Sequence, residues 1–537
     1  MHNEYDYIIV GAGSAGCVLA SRLSEDKHRR ILLVEAGPDD RRFWIRTPLG
    51  YARTYYDTGV NWAYHTEPDA GLNNRSIYWP RGKVVGGSSS INAMVYHRGL
   101  PGDYDDWANA GNRLWDWQQV RPVFENMEHR VAADGSESGH GRLIISDPGD
   151  HCHAIQSDFM SGVNSAGFPV NDFFYQGEGV GRYCTTIANG RRCSASKAWL
   201  DEARKRPNLD ILTNALVCNV LIENGQAQGI RFRRNGSEYR IYCQAEVILS
   251  GGTVNSPQLL MLSGVGPAGH LASSGIRPVL DSPMVGQNLQ DHLCVTYGFQ
   301  CTRPTLNNQL STWWGQALAG ARYLATRRGP LAMSVNQFGG LVRSAPDLDK
   351  ADVQIYFNPM SYHTLGEGQK QQIAMDRRAG FVLCHQPCRP HSRGHLQLAS
   401  AWPDQPPKIY PNSLSDERDL KSIVGGARIC AHLLQTPAIK NLIKNASGPR
   451  PDEMNDAEII ADFRQRASTV YHPIGTCAMG PDPFTSVVNQ HLKVHGLKSL
   501  RVVDASVFPN LVSANTNGPV IMLANRLADM ILMQPDS

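Results

Sequence analysis

Apolar residues open the chain in two short runs separated by a glycine-rich turn and a segment of alternating small and apolar residues. The first run is Ile8 to Val10 and the second is Ile31 to Val34. Runs of this length beside turn residues indicate strands, and the segment between them has the spacing of a helix. The pattern therefore predicts a βαβ unit that begins almost at the first residue.

The last apolar pattern has helical spacing. Pro519 suits the first turn of a helix, and Asn517 is a suitable N-cap. The apolar positions that repeat on one face are Val520, Leu523, Ala524, Leu527 and Ile531. A buried helix is therefore predicted near the end of the chain, whereas the proline-rich stretch 401–412 is typical of a surface loop.

Length and composition indicate a globular protein with two domains. The 537 residues exceed what one core usually organises. The hydrophobic share of 42% and the charged share of 19% exclude a disordered or fibrous chain. A net charge of only +3, without a block of like charges, gives no reason to expect a nucleic acid or an acidic membrane surface as a partner.

Twelve cysteines are scattered singly rather than arranged as a disulfide framework. The N-terminus has no basic segment followed by an apolar run, and no apolar stretch reaches the roughly 18 residues that cross a bilayer. A cytoplasmic location is the expectation. Peripheral contact with the inner face of a membrane stays open.

Gly11, Gly13 and Gly16 form a G-x-G-x-x-G motif in the turn of the βαβ unit. Such glycines allow a tight turn, a close approach of backbone to pyrophosphate and close packing of helix on strand. Glu35 ends the second strand, where a carboxylate can accept hydrogen bonds from a ribose. A dinucleotide site is predicted, and the motif alone leaves flavin and nicotinamide dinucleotides open.

The stretch "PRGKVVGGSSSINAMVYHRG" (80–99) favours a flavin. Two adjacent glycines, three serines and an asparagine would make a poor core, although Val84, Val85, Ile91 and Met94 anchor the segment. Backbone without side chains can lie against a ring, and small hydroxyls can reach ring nitrogens and oxygens. The alternative from spacing alone is an ordinary serine-glycine loop.

Together these stretches resemble the glucose–methanol–choline (GMC) oxidoreductases, particularly choline dehydrogenase-like alcohol dehydrogenases and oxidases that use FAD. Four further stretches are similar to the family's motifs, in the family's order. They are "GGTVNSPQLLMLSGVGP" (251–267), "VGQNLQDH" (285–292), "HPIGTCAMG" (472–480) and "LRVVDASVFPNLVSANTNGP" (500–519). The resemblance covers nearly the whole chain.

The resemblance implies a mixed fold, α/β together with α+β. A doubly wound, Rossmann-type FAD-binding domain would be interleaved with a substrate domain built on an antiparallel sheet with helices. The FAD-binding domain is expected to comprise residues 1–155, 195–295 and 465–537. The substrate domain is expected to comprise residues 156–194 and 296–464.

The resemblance also implies the residues that bind FAD. These are Gly11, Gly13, Ser14, Ala15, Gly16, Glu35, Ala36, Arg81, Val85, Gly86, Ser89, Asn92, Ala93, Met94, Val95, Val217, Asp504, Ala505, Asn515, Thr516 and Asn517. Val217 would lie near the adenine, Asp504 and Ala505 near the phosphates, and Thr516 and Asn517 near the pyrimidine end of the ring. Some members attach FAD through a histidine where this chain has Ile91, so non-covalent FAD is expected.

The catalytic pair implied by the resemblance is His472 and Asn515. Alcohol oxidation removes a proton as well as a hydride, and a neutral imidazole is a suitable base for the proton. The Asn515 amide can donate a hydrogen bond to the developing alkoxide. From the residues alone, the alternatives are a buried core histidine and a turn asparagine.

Two further groups of residues, a histidine–cysteine cluster and several aromatic residues, give weaker indications of a functional site. The cluster "CHQPCRPHSRGH" (384–395) fits no common zinc spacing, so no metal site is predicted, and the segments on either side of it are expected to be strands joined by a turn. Aromatic residues could line a substrate pocket, although core packing is the expected role for any one of them. They are Trp62, Trp79, Trp313, Trp314, Tyr356 and Phe357.

The predicted function is FAD-dependent oxidation of a primary alcohol to the aldehyde. A proton would leave to His472 and a hydride to flavin N5, and a quinone-like acceptor or dioxygen would reoxidise the flavin, with a dehydrogenase favoured over an oxidase. An oxidase specific for dioxygen, a non-redox lyase of the same family and a non-catalytic flavin-binding protein are the alternatives. The sequence does not name the alcohol.

Overall fold

The computed structural model describes residues 4–171, 177–365 and 372–533. Two large sheets organise this part of the chain, and each has its own cluster of buried apolar side chains. Across the described ranges, no helix is long and apolar enough to cross a lipid bilayer.

The opening pattern folds as the predicted βαβ unit. Strand Glu4–Val10 leads into helix Ser14–Leu23 and then into strand Ile31–Val34. The two strands are parallel neighbours, with Val10 opposite Val34. Every residue of Ile31–Val34 is buried, because helices and loops cover both faces of a parallel sheet.

The first sheet is mixed, with a parallel part around Glu4–Val10. The long strand Ser237–Leu249 changes partners along its length. Its first half pairs antiparallel with Gln226–Arg234, and its second half pairs parallel with Glu4–Val10 and Leu500–Val502. In chain order the strands are Glu4–Val10, Ile31–Val34, Leu209–Leu212, Leu216–Glu223, Gln226–Arg234, Ser237–Leu249 and Leu500–Val502. The predicted Rossmann-type architecture is confirmed.

The second sheet is antiparallel throughout, and helix Glu417–Gln435 packs against it. Its strands are Gly179–Arg182, Leu293–Cys301, Phe338–Val342, Val353–Asn358, Gly380–Pro387, Ile443–Ala446 and Ser468–Thr469. The predicted antiparallel sheet is therefore present. The residue-by-residue division into two discontinuous domains stays a prediction.

The remaining elements connect and cover the two sheets. The α-helices are Ser14–Leu23, Phe43–Arg46, Tyr51–Thr54, Pro101–Asn109, Trp117–Met127, Gln156–Ser165, Asp201–Ala203, Gly252–Leu262, Ala268–Ser273, Leu306–Leu310, Trp313–Thr326, Glu417–Gln435, Pro437–Leu442, Asp456–Arg466 and Asn517–Leu532. The short strands outside the two sheets are Tyr64–His65, Tyr78–Trp79, Glu128–Val131, Glu137–Ser138, Leu143–Ser146, Ile187–Ala188, Arg191–Arg192, Val265–Gly266, Leu280–Asp281, Tyr362–Leu365, Gln372–Met375, His395–Gln397 and Lys408–Tyr410.

Two local predictions need correction. The stretch 401–412 is not loop throughout, because Lys408–Tyr410 forms a strand with Ile409 buried against His395–Gln397. The strands on either side of 384–395 exist, but they do not pair with each other: Gly380–Pro387 belongs to the second sheet. The buried apolar residues of each strand find partners elsewhere, which a local pattern does not reveal.

Candidate active site

A large cavity runs between the two sheets. One end lies at the carboxyl ends of the first sheet's parallel strands, at Val10 and Val34, and the other reaches Thr296 and Tyr356 on the second sheet. Ligands of open α/β sheets bind at this edge of the strands. The cavity volume is about 1590 Å³, larger than a typical pocket for one small ligand, so it has room for a dinucleotide and a small substrate together.

Most of the residues implied by the resemblance line this cavity. They are Gly11, Gly13, Ser14, Ala15, Glu35, Ala36, Arg81, Asn92, Ala93, Met94, Val95, Val217, His472, Asp504, Ala505, Asn515, Thr516 and Asn517. Four others, Gly16, Val85, Gly86 and Ser89, lie behind the wall. Their direct contact with a cofactor stays a prediction.

The glycine turn leaves no room for a side chain at Gly11 or Gly16. Gly11 has a φ of 99°, and a Cβ there would lie 2.4 Å from the Ser250 carbonyl oxygen. A Cβ on Gly16 would lie 1.9 Å from the Gly11 carbonyl oxygen, so the helix can approach the strand only with glycine there. The turn is thus a cradle of bare backbone at the start of helix Ser14–Leu23.

Glu35 is held at the end of its strand by two backbone donors. The N–H of Ala12 donates to one carboxylate oxygen at 2.9 Å, and the N–H of Gly37 donates to the other at 2.8 Å. Burial nevertheless raises the pKa of Glu35. Each oxygen keeps acceptor capacity toward the cavity, which suits the hydroxyls of a ribose.

Two helix N-termini meet in the cavity wall. Ser14 begins the first helix and Asn517 begins the last, and the Ser14 hydroxyl donates to Asn517 Oδ1 at 2.7 Å. Thr516, not Asn517 as predicted, is the N-cap of the last helix. The Thr516 side chain makes no capping hydrogen bond, and the Asn517 side chain accepts from Ser14 instead of capping the helix. Both helix dipoles favour negative charge at this point.

The residues behind the wall hold the 80–99 segment in shape. Gly86 has a φ of 90°, and its N–H donates to the Ala12 carbonyl at 2.7 Å, which joins the segment to the glycine turn. The Ser89 hydroxyl donates to the Gly86 carbonyl at 2.6 Å and accepts from the N–H of Ala195 at 3.0 Å. Gly87 and Ser88 line the cavity instead. Of the residues predicted in this segment, Arg81, Asn92, Ala93, Met94 and Val95 line the cavity, whereas Val85, Gly86 and Ser89 do not.

His472 and Asn515 form a pair at the cavity wall. Nδ2 of Asn515 lies 3.1 Å from Nε2 of His472. Strand Ser468–Thr469 brings His472 to the second sheet, and the loop before helix Asn517–Leu532 brings Asn515 from the other side. The two residues that the resemblance implied as catalytic are therefore in hydrogen-bond contact, and both face the cavity.

His292 fixes the tautomer of His472. The Nδ1 atoms of the two histidines are 2.9 Å apart, and Nε2 of His292 lies 2.7 Å from the Cys388 carbonyl oxygen. A carbonyl only accepts, so His292 carries its proton on Nε2 and accepts at Nδ1. His472 must then donate from Nδ1, which leaves the lone pair on its Nε2 facing Asn515 and the cavity.

Sequence reasoning missed His292 and its neighbour Asp291. Both belong to the "VGQNLQDH" stretch, and the pairing of Leu293 with Thr469 brings that stretch beside His472. One Asp291 oxygen accepts from the backbone N–H of His472 at 2.8 Å and from that of His292 at 2.9 Å. Only the strand register could have revealed this contact.

Burial shifts the pKa values of His472 and of the ionisable residues around it. Burial first, and then the neighbouring His292 and the charge of Arg81, hold the pKa of His472 well below its usual range. Burial lowers the pKa of His292 to about 4 and that of Arg81 to about 10, and it raises the pKa of Asp291 to about 7. At neutral pH both imidazoles are uncharged, which is the state a proton acceptor needs.

The candidate aromatic residues separate into three environments. Trp62 and Tyr356 line the cavity. Trp79 and Phe357 are buried in the apolar core around the second sheet. Trp313 and Trp314 are exposed to solvent on helix Trp313–Thr326.

The histidines and cysteines of 384–395 are dispersed by the fold. His385 is buried beside Tyr297 and Phe463, whereas His395 stacks on Tyr410. Among the residues that the structure describes, no three His, Cys, Asp or Glu side chains form a group that could hold a metal ion.

Comparisons with known proteins agree with this geometry. Models of the GMC oxidoreductase family match residues 5–294 and 390–524. An alcohol dehydrogenase [acceptor] from Pseudomonas putida is 42% identical, covering 99% of this chain and 96% of the relative. The mitochondrial choline dehydrogenase of Homo sapiens is 40% identical, covering 99% and 90%.

The same agreement extends to solved structures. A formate oxidase from Aspergillus oryzae, studied for modification of its FAD, superposes with a TM-score of 0.90 and 26% identity, covering 98% of each chain. The predictions of an enzyme, of FAD as its cofactor and of alcohol oxidation as its reaction are confirmed at this level. This chain belongs to the GMC oxidoreductase family.

Proposed function

We propose that this enzyme oxidises an uncharged primary alcohol at His472, with FAD bound non-covalently along the cavity. The glycine cradle at Gly11 and the Glu35 carboxylate would hold the dinucleotide end. The segment around Asn92 and Met94 would lie beside the flavin ring, together with Thr516 and Asn517. The contact between His472 and Asn515 at 3.1 Å is the observation that carries the proposal.

The chain's own groups account for the proton. A substrate hydroxyl in this part of the cavity would donate to Nε2 of His472 and accept from Nδ2 of Asn515. As the O–H bond breaks, Nε2 takes the proton, and the Asn515 amide stabilises the developing negative charge on oxygen. When bound, FAD supplies the acceptor for the hydride at flavin N5.

The charge around His472 supports an uncharged substrate. Among the described residues of the cavity wall, the carboxylates are Glu35, Asp376 and Asp504. Each of the three carboxylates has a hydrogen-bond partner in the protein. Glu35 accepts from backbone N–H groups, and Asp504 accepts from Gly252 and Ser256. Asp376 lies 2.6 Å from His363 Nδ1.

Apart from Asp291, which does not line the cavity and whose pKa burial raises to about 7, no carboxylate contacts the described residues of the catalytic pair as a counter-charge for a substrate cation. Arg81, a cation, is close enough to lower the pKa of His472. The wall of the second sheet presents uncharged side chains such as Thr296, Tyr356 and Cys384. Burying a quaternary ammonium there would cost its hydration without an ion pair. This argues against a choline-type substrate, although several similar relatives are choline dehydrogenases.

Choline and its carbon isostere test the substrate class. The isostere carries a tert-butyl group in place of the trimethylammonium group, so the two alcohols differ in charge and hardly in shape. We expect kcat/KM to be at least about tenfold higher for the isostere. An equal or higher kcat/KM for choline would refute the uncharged substrate while leaving alcohol oxidation intact.

We further propose a quinone-like acceptor rather than dioxygen. The similarity to the Pseudomonas putida alcohol dehydrogenase [acceptor] supports this choice. Rapid mixing of the alcohol-reduced enzyme with a soluble quinone analogue should restore the flavin absorbance faster than mixing with air-saturated buffer. Equal or faster reoxidation by air would assign an oxidase.

A cytoplasmic location is part of the same proposal. Eleven of the twelve cysteines, all except Cys152, are free thiols in the structure, which is typical of a reducing compartment. Alkylation of the unfolded protein taken directly from cells should modify all twelve. Protection of a pair would contradict the proposed compartment.

A further inference from the structure

Helix Trp313–Thr326 carries its apolar face toward solvent. Trp313 is 81% exposed, Leu318 67%, Leu324 60% and Trp314 58%. Ala317, Ala321 and Ala325 are exposed on the same face. At about 100° per residue, these seven positions cover a continuous arc of roughly 140°.

The side of the helix that packs on the protein is much narrower. The buried residues of the helix are Gly315, Ala319 and Tyr323. A surface helix of a globular protein normally buries its large apolar side chains and exposes polar ones. Here the two tryptophans and two leucines are on the outside. An exposed patch of this kind marks a surface that binds a partner.

The charged residues of the helix and of the turn after it are arginines. From Trp313 to Val342 the sequence contains Arg322, Arg327 and Arg328 and no Asp, Glu or Lys, whereas the flanking Arg303 and Arg343 form ion pairs with Asp158 and Glu178. Arg322 and Arg328 are exposed at the C-terminal end of the helix, and Arg327 lies over the Tyr323 ring at 4.9 Å. Arg377 and Arg378, also exposed, lie at the cavity rim. The patch therefore suits a partner that is apolar inside and negatively charged at its surface.

The helix adjoins the cavity rim on two sides. Met375, from the strand pair that supplies Ile373 and Asp376 to the cavity, packs against the apolar cluster that contains Ala319. On the other side, Leu49, which lines the cavity, packs against the same cluster. The exposed face and the cavity opening are therefore neighbours.

We propose that helix Trp313–Thr326 docks this enzyme on an anionic lipid bilayer. The exposed tryptophan and leucine side chains enter the boundary between headgroups and acyl chains, where tryptophan is favoured, and the arginines contact acidic headgroups. The cavity rim then faces the membrane. A lipid-soluble acceptor could reach it from there, although the docking surface itself does not depend on the identity of the acceptor.

Vesicle sedimentation of the intact, flavin-loaded protein tests the docking surface. Vesicles of phosphatidylcholine with phosphatidylglycerol should bind the wild type, and added salt or phosphatidylcholine alone should weaken binding. The triple variant Trp313→Ser/Trp314→Ser/Leu318→Ser should bind at least about tenfold more weakly. Its thermal unfolding temperature and its activity with a soluble dye acceptor should match the wild type.

Two exposed aromatic residues elsewhere provide the matched control. Trp402 is 69% exposed and Phe484 78% exposed, and neither belongs to the helix. The double variant Trp402→Ser/Phe484→Ser should bind vesicles like the wild type. Equal loss in both variants, or equal binding of the triple variant and the wild type, would overturn the proposal. So would a dimer in solution that the triple variant abolishes, because a second copy would then cover this face.

Discussion

Nδ1 of His292 lies 2.9 Å from Nδ1 of His472, and Nε2 of His292 lies 2.7 Å from the Cys388 carbonyl oxygen. This chain of contacts has only one consistent set of neutral protonation states, because the carbonyl at its end cannot donate. It directs the lone pair of His472 Nε2 into the cavity. The base is thus prepared by a histidine that does not itself line the cavity.

Replacing His292 should slow the chemical step and leave the flavin content of the enzyme unchanged. In His292→Phe, His472 loses the acceptor that fixes its tautomer, so we expect kcat to fall about 10- to 100-fold with little change in KM. His432→Phe is the control, because His432 is exposed on helix Glu417–Gln435. Steady-state kinetics measure kcat and KM, and the flavin spectrum measures the flavin content. An unchanged kcat would show that His292 has no role in the mechanism.

Activity should persist below the usual pKa of histidine. Because burial, His292 and Arg81 hold the pKa of His472 below 6.5, its base form survives at pH values where a free histidine is protonated. The acid limb of the kcat/KM profile should therefore have its midpoint below pH 6.5, reported for the coupled His292–His472 pair. A midpoint at or above that value would mean that another group is the base.

A methyl group at Gly16 should prevent FAD binding. The Cβ of Gly16→Ala would lie 1.9 Å from the Gly11 carbonyl oxygen, which forces helix and strand apart at the cradle. We expect a protein without flavin absorbance and with a lower unfolding temperature. The control is Gly269→Ala, where nothing lies within 4 Å of the new Cβ. Normal flavin content in Gly16→Ala would contradict the proposed cradle.

His385 should make the fold sensitive to acid. Neither of its ring nitrogens has a hydrogen-bond partner among the described residues, and burial lowers its pKa to about 3. Between pH 6.5 and that value the unfolded chain binds a proton that the folded chain does not, so stability rises with pH in this window. The protonation of His385 on unfolding should therefore lower the free energy of unfolding by about 1.4 kcal/mol for each pH unit of acidification in this window.

The variant His385→Phe isolates this contribution. It should remove the ionisation while keeping an aromatic ring between Tyr297 and Phe463. Urea unfolding of variant and wild type at pH 7 and pH 5.5 measures the difference. An identical loss of stability on acidification in both proteins would contradict the assignment.

The sequence predicted the first sheet's βαβ unit well because the signals there are local. Ile8 to Val10, the glycine turn and Ile31 to Val34 each report their own structure through spacing. The same is true of the last helix, although its cap is Thr516 rather than Asn517. A cap depends on what else the side chain can bind, and Ser14 binds Asn517 from more than 500 residues away in the chain.

The candidate site shows the same limit. The family resemblance implied that His472 and Asn515 act as a pair. The spacing of the two residues in the sequence does not predict their contact. His292 reaches His472 through the pairing of Leu293 with Thr469, a long-range register that no single segment encodes. The sequence also does not predict that the two tryptophans of helix Trp313–Thr326 are exposed, because helical spacing does not tell which face of a helix meets solvent.

Anaerobic reduction of the bound flavin tests the central claim most directly. A primary alcohol mixed with the wild type under exclusion of air should bleach the flavin absorbance, and His472→Gln with a full complement of FAD should bleach about 10²- to 10⁴-fold more slowly. Failure of every primary alcohol to bleach the wild type, or bleaching of His472→Gln at the wild-type rate, would contradict the account.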